Sequence, residues 1–324
     1  MARTWSGIPK RMFPVWAIVC LDFTIFAAAL VVFALFHHVL PRALSQPQQV
    51  IIGQNDITMP NRAAGSDGQQ TSEPIASGDF SAAFPDYDTG GGAIYSNQAD
   101  NARVAVKKVK VGEAVCFVAD IWVRDIHSLR SGFANDQAGQ GVTADVVDMS
   151  KKLNAIVAAN GDYYGARAKG VVIRNGVLYR DSAFEDVCVL YEDGVMETYS
   201  KQEFDVASAV SRKAWQAWSF GPELLDDGKA MTVFNSSVVP TNPRTAIGYY
   251  EPGHYCLVVA DGRQQGYSAG LHMKELSAFF EILGCKAAYN LDGGQSSMMT
   301  FEGELINQPY MGGRPSSDIV YVEP

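Results

Sequence analysis

Apolar residues are distributed along this chain in three different ways. Residues 14–36 form one almost unbroken run, PVWAIVCLDFTIFAAALVVFALF. Residues 41–92 are rich in Gln, Ser, Gly, Pro and Asn and show little apolar periodicity. From Ala93 to the C-terminus, short β-branched-rich runs return, separated by Gly, Asn and Asp. Runs of that length bounded by turn residues predict strands. Residues 103–109 and 114–123 are placed to pair across Val111-Gly112-Glu113. Residues 173–179 contain Asn175-Gly176, a hairpin signal because both turn positions need positive φ. Residues 187–191 and 195–199 flank a second turn, Glu192-Asp193-Gly194.

Helical spacing is rarer. Val146, Met149 and Leu153 recur at helical intervals, as do Val206 and Val210 after Asp205, a candidate N-cap. The clearest helix covers 271–283, with Leu276, Phe279, Phe280 and Leu283 on one face and Gly284 placed to end it. Strands follow at 286–289 and 298–301. The pattern predicts an α+β fold: a single mixed-sheet globular domain with a few packing helices. An N-terminal transmembrane helix and a flexible stalk precede it.

The expected boundaries are a cytoplasmic tail at 1–11, a transmembrane signal anchor at 12–40, a stalk at 41–92 and the domain at 93–324. About 23 apolar residues suffice to cross a bilayer core of roughly 30 Å. Arg3, Lys10 and Arg11 precede the run, which keeps the N-terminus in the cytoplasm and exports the rest. A cleaved signal has a shorter apolar core and a small-residue cleavage site, which this run lacks. The expectation is therefore a single-pass membrane protein with an extracytoplasmic domain.

Composition narrows the function. The net charge of −9 argues against general nucleic-acid binding, which needs a basic surface. Cys116, Cys188, Cys256 and Cys285 could form two disulfides or pack as buried thiols. Their spacing shows no zinc pattern.

Four polar clusters stand at the ends of apolar runs: Asn160-Gly-Asp-Tyr-Tyr164, Asn242-Pro-Arg-Thr245, Asp261-Gly-Arg263 and Asn290-Leu-Asp-Gly-Gly-Gln-Ser-Ser297. Each contains ordinary turn chemistry. The last carries more than a turn needs: two glycines, an aspartate, an amide and two hydroxyls. Glycine-rich backbone exposes N–H donors to an anion. Glycoside cleavage uses carboxyl groups, for which Asp162, Asp261 and Asp292 are available. Arginine holds a phosphodiester in a planar fork, and Arg244, Arg263 and Arg314 are available. Tyr163 and Tyr164 offer rings to a sugar face, one of them serving the core instead.

These clusters, in this order, resemble the phosphodiester glycosidase family. The resemblance covers about 93–324 and is strongest from Asn154 onward, where the NLDGG loop and the NPRTAIG run occur together. Arg314 matches an arginine that the family places before its last strand. The resemblance implies a sheet-based fold with these loops gathered at one site. It implies that Asp162, Arg244, Asp261, Asp292, Gly293, Gly294 and Ser296 belong to that site. Within it we expect Asp162, Asp261 and Asp292 as catalytic candidates, with Asp292 central, Asp162 or Asp261 as its partner, acid and base unassigned, and Arg244 on the phosphate. The substrate-binding candidates are Arg244, Arg263, Arg314, Asn160, Tyr163, Asn290, Gly293, Gly294, Ser296 and Ser297. The expected function is cleavage of a glycosidic bond in a sugar-1-phosphodiester or related surface glycan. No cofactor is required, although the aspartates could hold Mg²⁺ or Ca²⁺ for attack at phosphorus. A non-catalytic polysaccharide-binding or assembly protein is the other alternative.

Overall fold

The computed structural model describes residues 14–34, 42–43, 78–85 and 91–324. The chain divides into two compact units, Met1–Pro41 and Arg42–Pro324. In the first, a helix spans Val15–Ala34 where the anchor was expected. Among the described residues, which omit several of this helix's side chains, no helix is long and apolar enough to cross a membrane. The fold therefore does not support the expected transmembrane helix. The tail 1–11, the ends of the 12–40 segment and most of the 41–92 stalk lie outside the described residues.

The second unit is an α+β domain built from three larger sheets. The six-stranded sheet runs Ala287–Asn290, Arg244–Glu251, His254–Ala260, Ala114–Val123, Ala102–Val111, Tyr95–Gln98. A five-stranded sheet runs Glu304–Leu305, Met299–Phe301, Val157–Asn160, Asp318–Val322, Leu129–Phe133. Another runs Met196–Tyr199, Val187–Tyr191, Ala214–Trp218, Val172–Arg174, Val177–Arg180. All three are antiparallel, which corrects the expected single mixed sheet. Six of the thirteen neighbouring pairs are sequential strands, which a short connection can join only in the antiparallel sense, since a parallel pair needs a long crossover. The three hairpins anticipated from the sequence form, with Asn175 at φ 53° and Gly176 at φ 76° in one of them.

The central strands of each sheet are buried on both faces, so they read as nearly continuous apolar runs. In Ala114–Val123, Phe117, Ala119, Ile121 and Val123 point into the central core, while Ala114, Cys116 and Val118 point the other way. Leu257 and Val259 repeat this against Cys256 and Val258. Val320 and Val322 face the central core and Ile319 and Tyr321 face away. Cys188 and Leu190 do the same against Val187, Val189 and Tyr191. The inner faces of all three sheets share one core, and apolar residues of a helix join each outer cluster: Met273–Leu283, Val146–Lys152 and Val206–Ser211.

The helix Met273–Leu283 shows how local sequence sets these covers. His272 caps it: Nδ1 accepts from the Lys274 amide at 3.2 Å, and the His272 amide donates to Glu275 at 2.7 Å. Gly284, at φ 82°, ends it in the left-handed conformation. Leu276, Phe279 and Phe280 are buried beneath it, and each such side chain contributes about 1.5–3 kcal/mol. Asp145 and Asp205 cap the other two helices.

Residues 78–85 pack on this domain. Phe80 belongs to the central core, and Phe84 lies under the guanidinium groups of Arg103 and Arg124. The four cysteines of the domain are buried and unpaired, with Cys256 Sγ 3.8 Å from Cys285 Sγ.

Candidate active site

Antiparallel register brings the polar clusters together. Arg244 lies opposite Ala260, and Ala246 opposite Asn290, so three clusters end at one edge of the six-stranded sheet. Ile319 lies opposite Asn160, which puts Asn160 and Asp318 at one edge of a five-stranded sheet. Asn160 joins the two edges. Its Nδ2 donates to the Asp292 carbonyl at 2.7 Å, and its Oδ1 accepts from Thr245 Oγ1 at 2.8 Å and from the Met298 amide at 3.3 Å. The Asp292 amide donates to the Gly161 carbonyl at 3.1 Å. A buried side-chain amide satisfied on both ends fixes three loops relative to each other.

Asp292 sits at the centre of this junction with its side chain 8% exposed. Oδ2 accepts from Arg314 Nη2 at 2.9 Å, and Arg314 Nε donates to Ser296 Oγ at 2.6 Å. Burial raises the Asp292 pKa above the usual carboxylate value, against the opposing pull of Ser296, Arg314 and Arg167. Gly293 allows the loop to close, because a Cβ there would lie 2.7 Å from the Pro243 carbonyl oxygen. The Gly294 amide donates to that same carbonyl at 2.9 Å.

Two guanidiniums lie over the Tyr163 ring: Arg314 at 5.0 Å and Arg167 at 5.9 Å. Tyr163 holds a left-handed backbone, φ 66°, unfavourable for a bulky residue. Arg167 also lies over Phe220 and Phe184, and its Nη1 is buried without a partner among the described residues. Tyr164 is the core member of the tyrosine pair, 2% exposed against Phe133. Arg263 stands beside Gly294, its Nη2 3.6 Å from where a Cβ would be, and its Nε donates to Asn242 at 2.9 Å.

The other candidates are close by in the fold, but their polar atoms are held elsewhere. Asp162 accepts from Arg174 Nη2 at 2.7 Å and from the Ser219 amide at 2.9 Å. Arg174 Nε donates to Asp318 at 2.8 Å, completing a fully buried Asp162–Arg174–Asp318 triad. Asp261 accepts from Asn307 at 2.7 Å, Tyr267 Oη at 2.8 Å and the Gln308 amide at 3.0 Å. Burial raises its pKa against those bonds. Arg244 donates to the carbonyls of Leu271 (2.9 Å), Val238 (2.7 Å), Val239 (3.1 Å) and Pro240. Burial, aided by the nearby Arg263 charge, lowers its pKa to about 10. Asn290 donates to the Gly221 carbonyl at 2.8 Å, while Asn290 Oδ1 and Ser297 Oγ are buried without partners among the described residues.

Arg167, Arg174 and Asp318 escaped the sequence reading. A lone charge inside the apolar run VVIRNG was a signal for Arg174, since such a residue is buried only if paired. Arg167, in the loop Tyr164-Gly-Ala-Arg167, carried no signal. Among the described residues no group of three or more His, Cys, Asp or Glu side chains could hold a metal ion.

A nearly buried carboxylate beside two guanidiniums and a tyrosine ring is thus held on a three-sheet scaffold. The family model "phosphodiester glycosidase" matches residues 153–323, and the chain belongs to that family. A prophage-derived protein of Bacillus subtilis, YomE, is 32% identical over 172 residues, covering 50% of this chain and 27% of that protein. The catalytic domain of zebrafish N-acetylglucosamine-1-phosphodiester α-N-acetylglucosaminidase shares the fold, with a TM-score of 0.54 at 19% identity over 72% of this chain and 86% of that one. A Synechocystis protein does so with a TM-score of 0.54 at 15% identity, over 71% of this chain and 64% of its own.

Proposed function

We propose that this protein hydrolyses the bond between an anomeric carbon and a phosphodiester oxygen, with Asp292 as the working carboxylate. The observation that carries this is the Asp292–Arg314–Ser296 constellation beside Arg167 Nη1, which is buried without a partner among the described residues. A phosphate leaving group is a weak base, so it departs without a proton from a general acid. One carboxylate and an anion clamp then suffice, in place of the carboxyl pair that ordinary glycosides need. Asp292 takes a proton from water, the water oxygen bonds to C1, and the C1–O bond breaks with its electron pair on the phosphate. Arg314 and Arg167 receive the departing charge, and Tyr163 presents its ring to the sugar. Asp162, Asp261 and Arg244 hold the loops in place.

The apolar run at 14–36 and the basic residues before it support a further part of this proposal. The chain is an exported, membrane-anchored enzyme whose domain meets a glycan of the cell envelope. Fractionation tests that part: the protein should leave the membrane with detergent, not with high salt.

Hydrolysis of a sugar-1-phosphodiester in ¹⁸O-labelled water tests the chemistry. Label in the released sugar is expected. Label in the phosphate would mean attack at phosphorus, and binding without turnover would mean a polysaccharide-binding protein.

A further inference from the structure

Beyond Gly294 the surface opens into a groove of about 620 Å³. Lys110, Glu113, Arg263, Gln264, Gln265 and Tyr267 line it. Arg263 belongs to both places: its guanidinium lies beside Gly294, and the residue also lines the groove. A substrate passing out from Asp292 over Gly293 and Gly294 therefore meets Arg263 and then the groove.

The wall is preformed. The Gln264 amide donates to the Ser268 carbonyl, the Ser268 amide donates back to Gln264, and the Arg263 amide donates to Ala269. Tyr267 Oη is bonded to buried Asp261, and the Gln264 side chain reaches the Gln308 carbonyl at 2.7 Å. Arg263 itself holds a left-handed backbone, φ 58°, an unfavourable conformation that the surrounding bonds must maintain. A wall already ordered loses little entropy on binding.

Its chemistry selects a partner. Lys110 and Arg263 outnumber Glu113, and Lys108 lies over the Tyr267 ring at 5.8 Å, within a chain of net charge −9. Among the described residues neither Lys110 nor Arg263 has a carboxylate partner; the Arg263 guanidinium lies over the Tyr310 ring at 5.4 Å and bonds Asn242, contacts that leave its charge unneutralised. Gln265 and Tyr267 add hydroxyl-binding groups and a ring.

We propose that this groove binds the continuation of an anionic, polyhydroxylated chain on the leaving-group side of the scissile bond. The substrate is then a polymer carrying repeated phosphates, not a small sugar phosphodiester. This rests on the hydrolase reading above, and its test separates the two.

The full chain is assayed on a sugar-1-phosphomethyl diester and on the same sugar linked to an oligo(glycerol phosphate). In parallel, calorimetry measures binding of the oligo(glycerol phosphate) alone, which has no sugar to remove. The expected result is a KM about fivefold lower for the long substrate at low salt, the size of one exposed charge contact. Lys110→Glu, at an exposed position, should remove that advantage while kcat on the long substrate stays constant. Equal KM values for the two substrates, or no effect of Lys110→Glu, would overturn the proposal. If neither substrate is cleaved but the oligomer binds in a Lys110-dependent manner, the groove stands and the hydrolase reading fails. Absence of both binding and length preference, with hydrolysis intact, removes the groove alone.

Discussion

Arg314 bonds Asp292 and Ser296 with one guanidinium, Nη2 to the carboxylate at 2.9 Å and Nε to the hydroxyl at 2.6 Å. This contact fixes the carboxylate while leaving Arg314 Nη1 without a partner among the described residues. Arg314 is 37% exposed, so that edge can meet a ligand. Arg167 lies over the same tyrosine ring, which places two cations around one small space.

The two arginines should separate kinetically. Arg167→Ala removes a contact to the anion and should lower kcat/KM on a sugar-1-phosphodiester by about 10–100-fold, the worth of a charge-assisted hydrogen bond. The same variant should change activity on an uncharged aryl glycoside far less. A matching loss on both substrates would assign Arg167 to structure.

Asp292 should give the rate profile an acid limb above the ordinary carboxylate range of about 4. Burial raises its pKa, and as a base it works only when ionised, so kcat should rise with pH through that raised value and then level off. Arg314 opposes the rise in pKa, so Arg314→Gln should move the limb to higher pH. A limb that moves down, or a rate that falls with pH over this range, would contradict the assignment.

The Asp162–Arg174–Asp318 triad should act on stability. Removing the one cation leaves two buried carboxylates without a partner, so Arg174→Met should cost about 3–5 kcal/mol in denaturant unfolding. Asp318 adds a pH signature. Burial raises its pKa to about 6, above an unfolded value near 4. Its contribution is therefore fully present below about pH 4 and is lost as pH rises through about 6. Asp318→Asn should flatten that part of the stability profile, as read by melting temperature between pH 4 and 7.

Residues 78–85 should be needed for a stable domain. A fragment beginning at Ala93 lacks Phe80 and Phe84, whereas one beginning at Ser77 keeps them. Phe80 is 4% exposed in the central core, and losing such a side chain costs about 3–5 kcal/mol. The shorter fragment should melt well below the longer one, and Phe80→Ala in the longer one should account for most of the difference.

Much of the scaffold was legible because its strands obey local rules. Asn175-Gly176 forced a hairpin, Gly284 stopped a helix, and double-sided burial left runs such as CLVVA. The division into three antiparallel sheets was not legible, since buried strands of either sense have the same apolar pattern. The convergence of the clusters followed from their places at strand ends. The tasks of their members did not. Asp162, Asp261 and Asp292 look alike in sequence, but Arg174 and Ser219 bind the first and Asn307, Tyr267 and Gln308 the second. Arg244 matched its motif, yet its donors go to the carbonyls of Leu271 and residues 238–240. Such partners are set by tertiary packing, which no local pattern encodes.

The central claim is that the Asp292 carboxylate performs the chemistry, and Asp292→Asn tests it most directly. The amide keeps the shape and loses the charge, so the variant should melt within a few degrees of the parent. Its kcat on a sugar-1-phosphodiester should fall by about 10²–10⁴, the usual worth of a positioned base. A folded Asp292→Asn protein that retains the parent kcat would contradict the account.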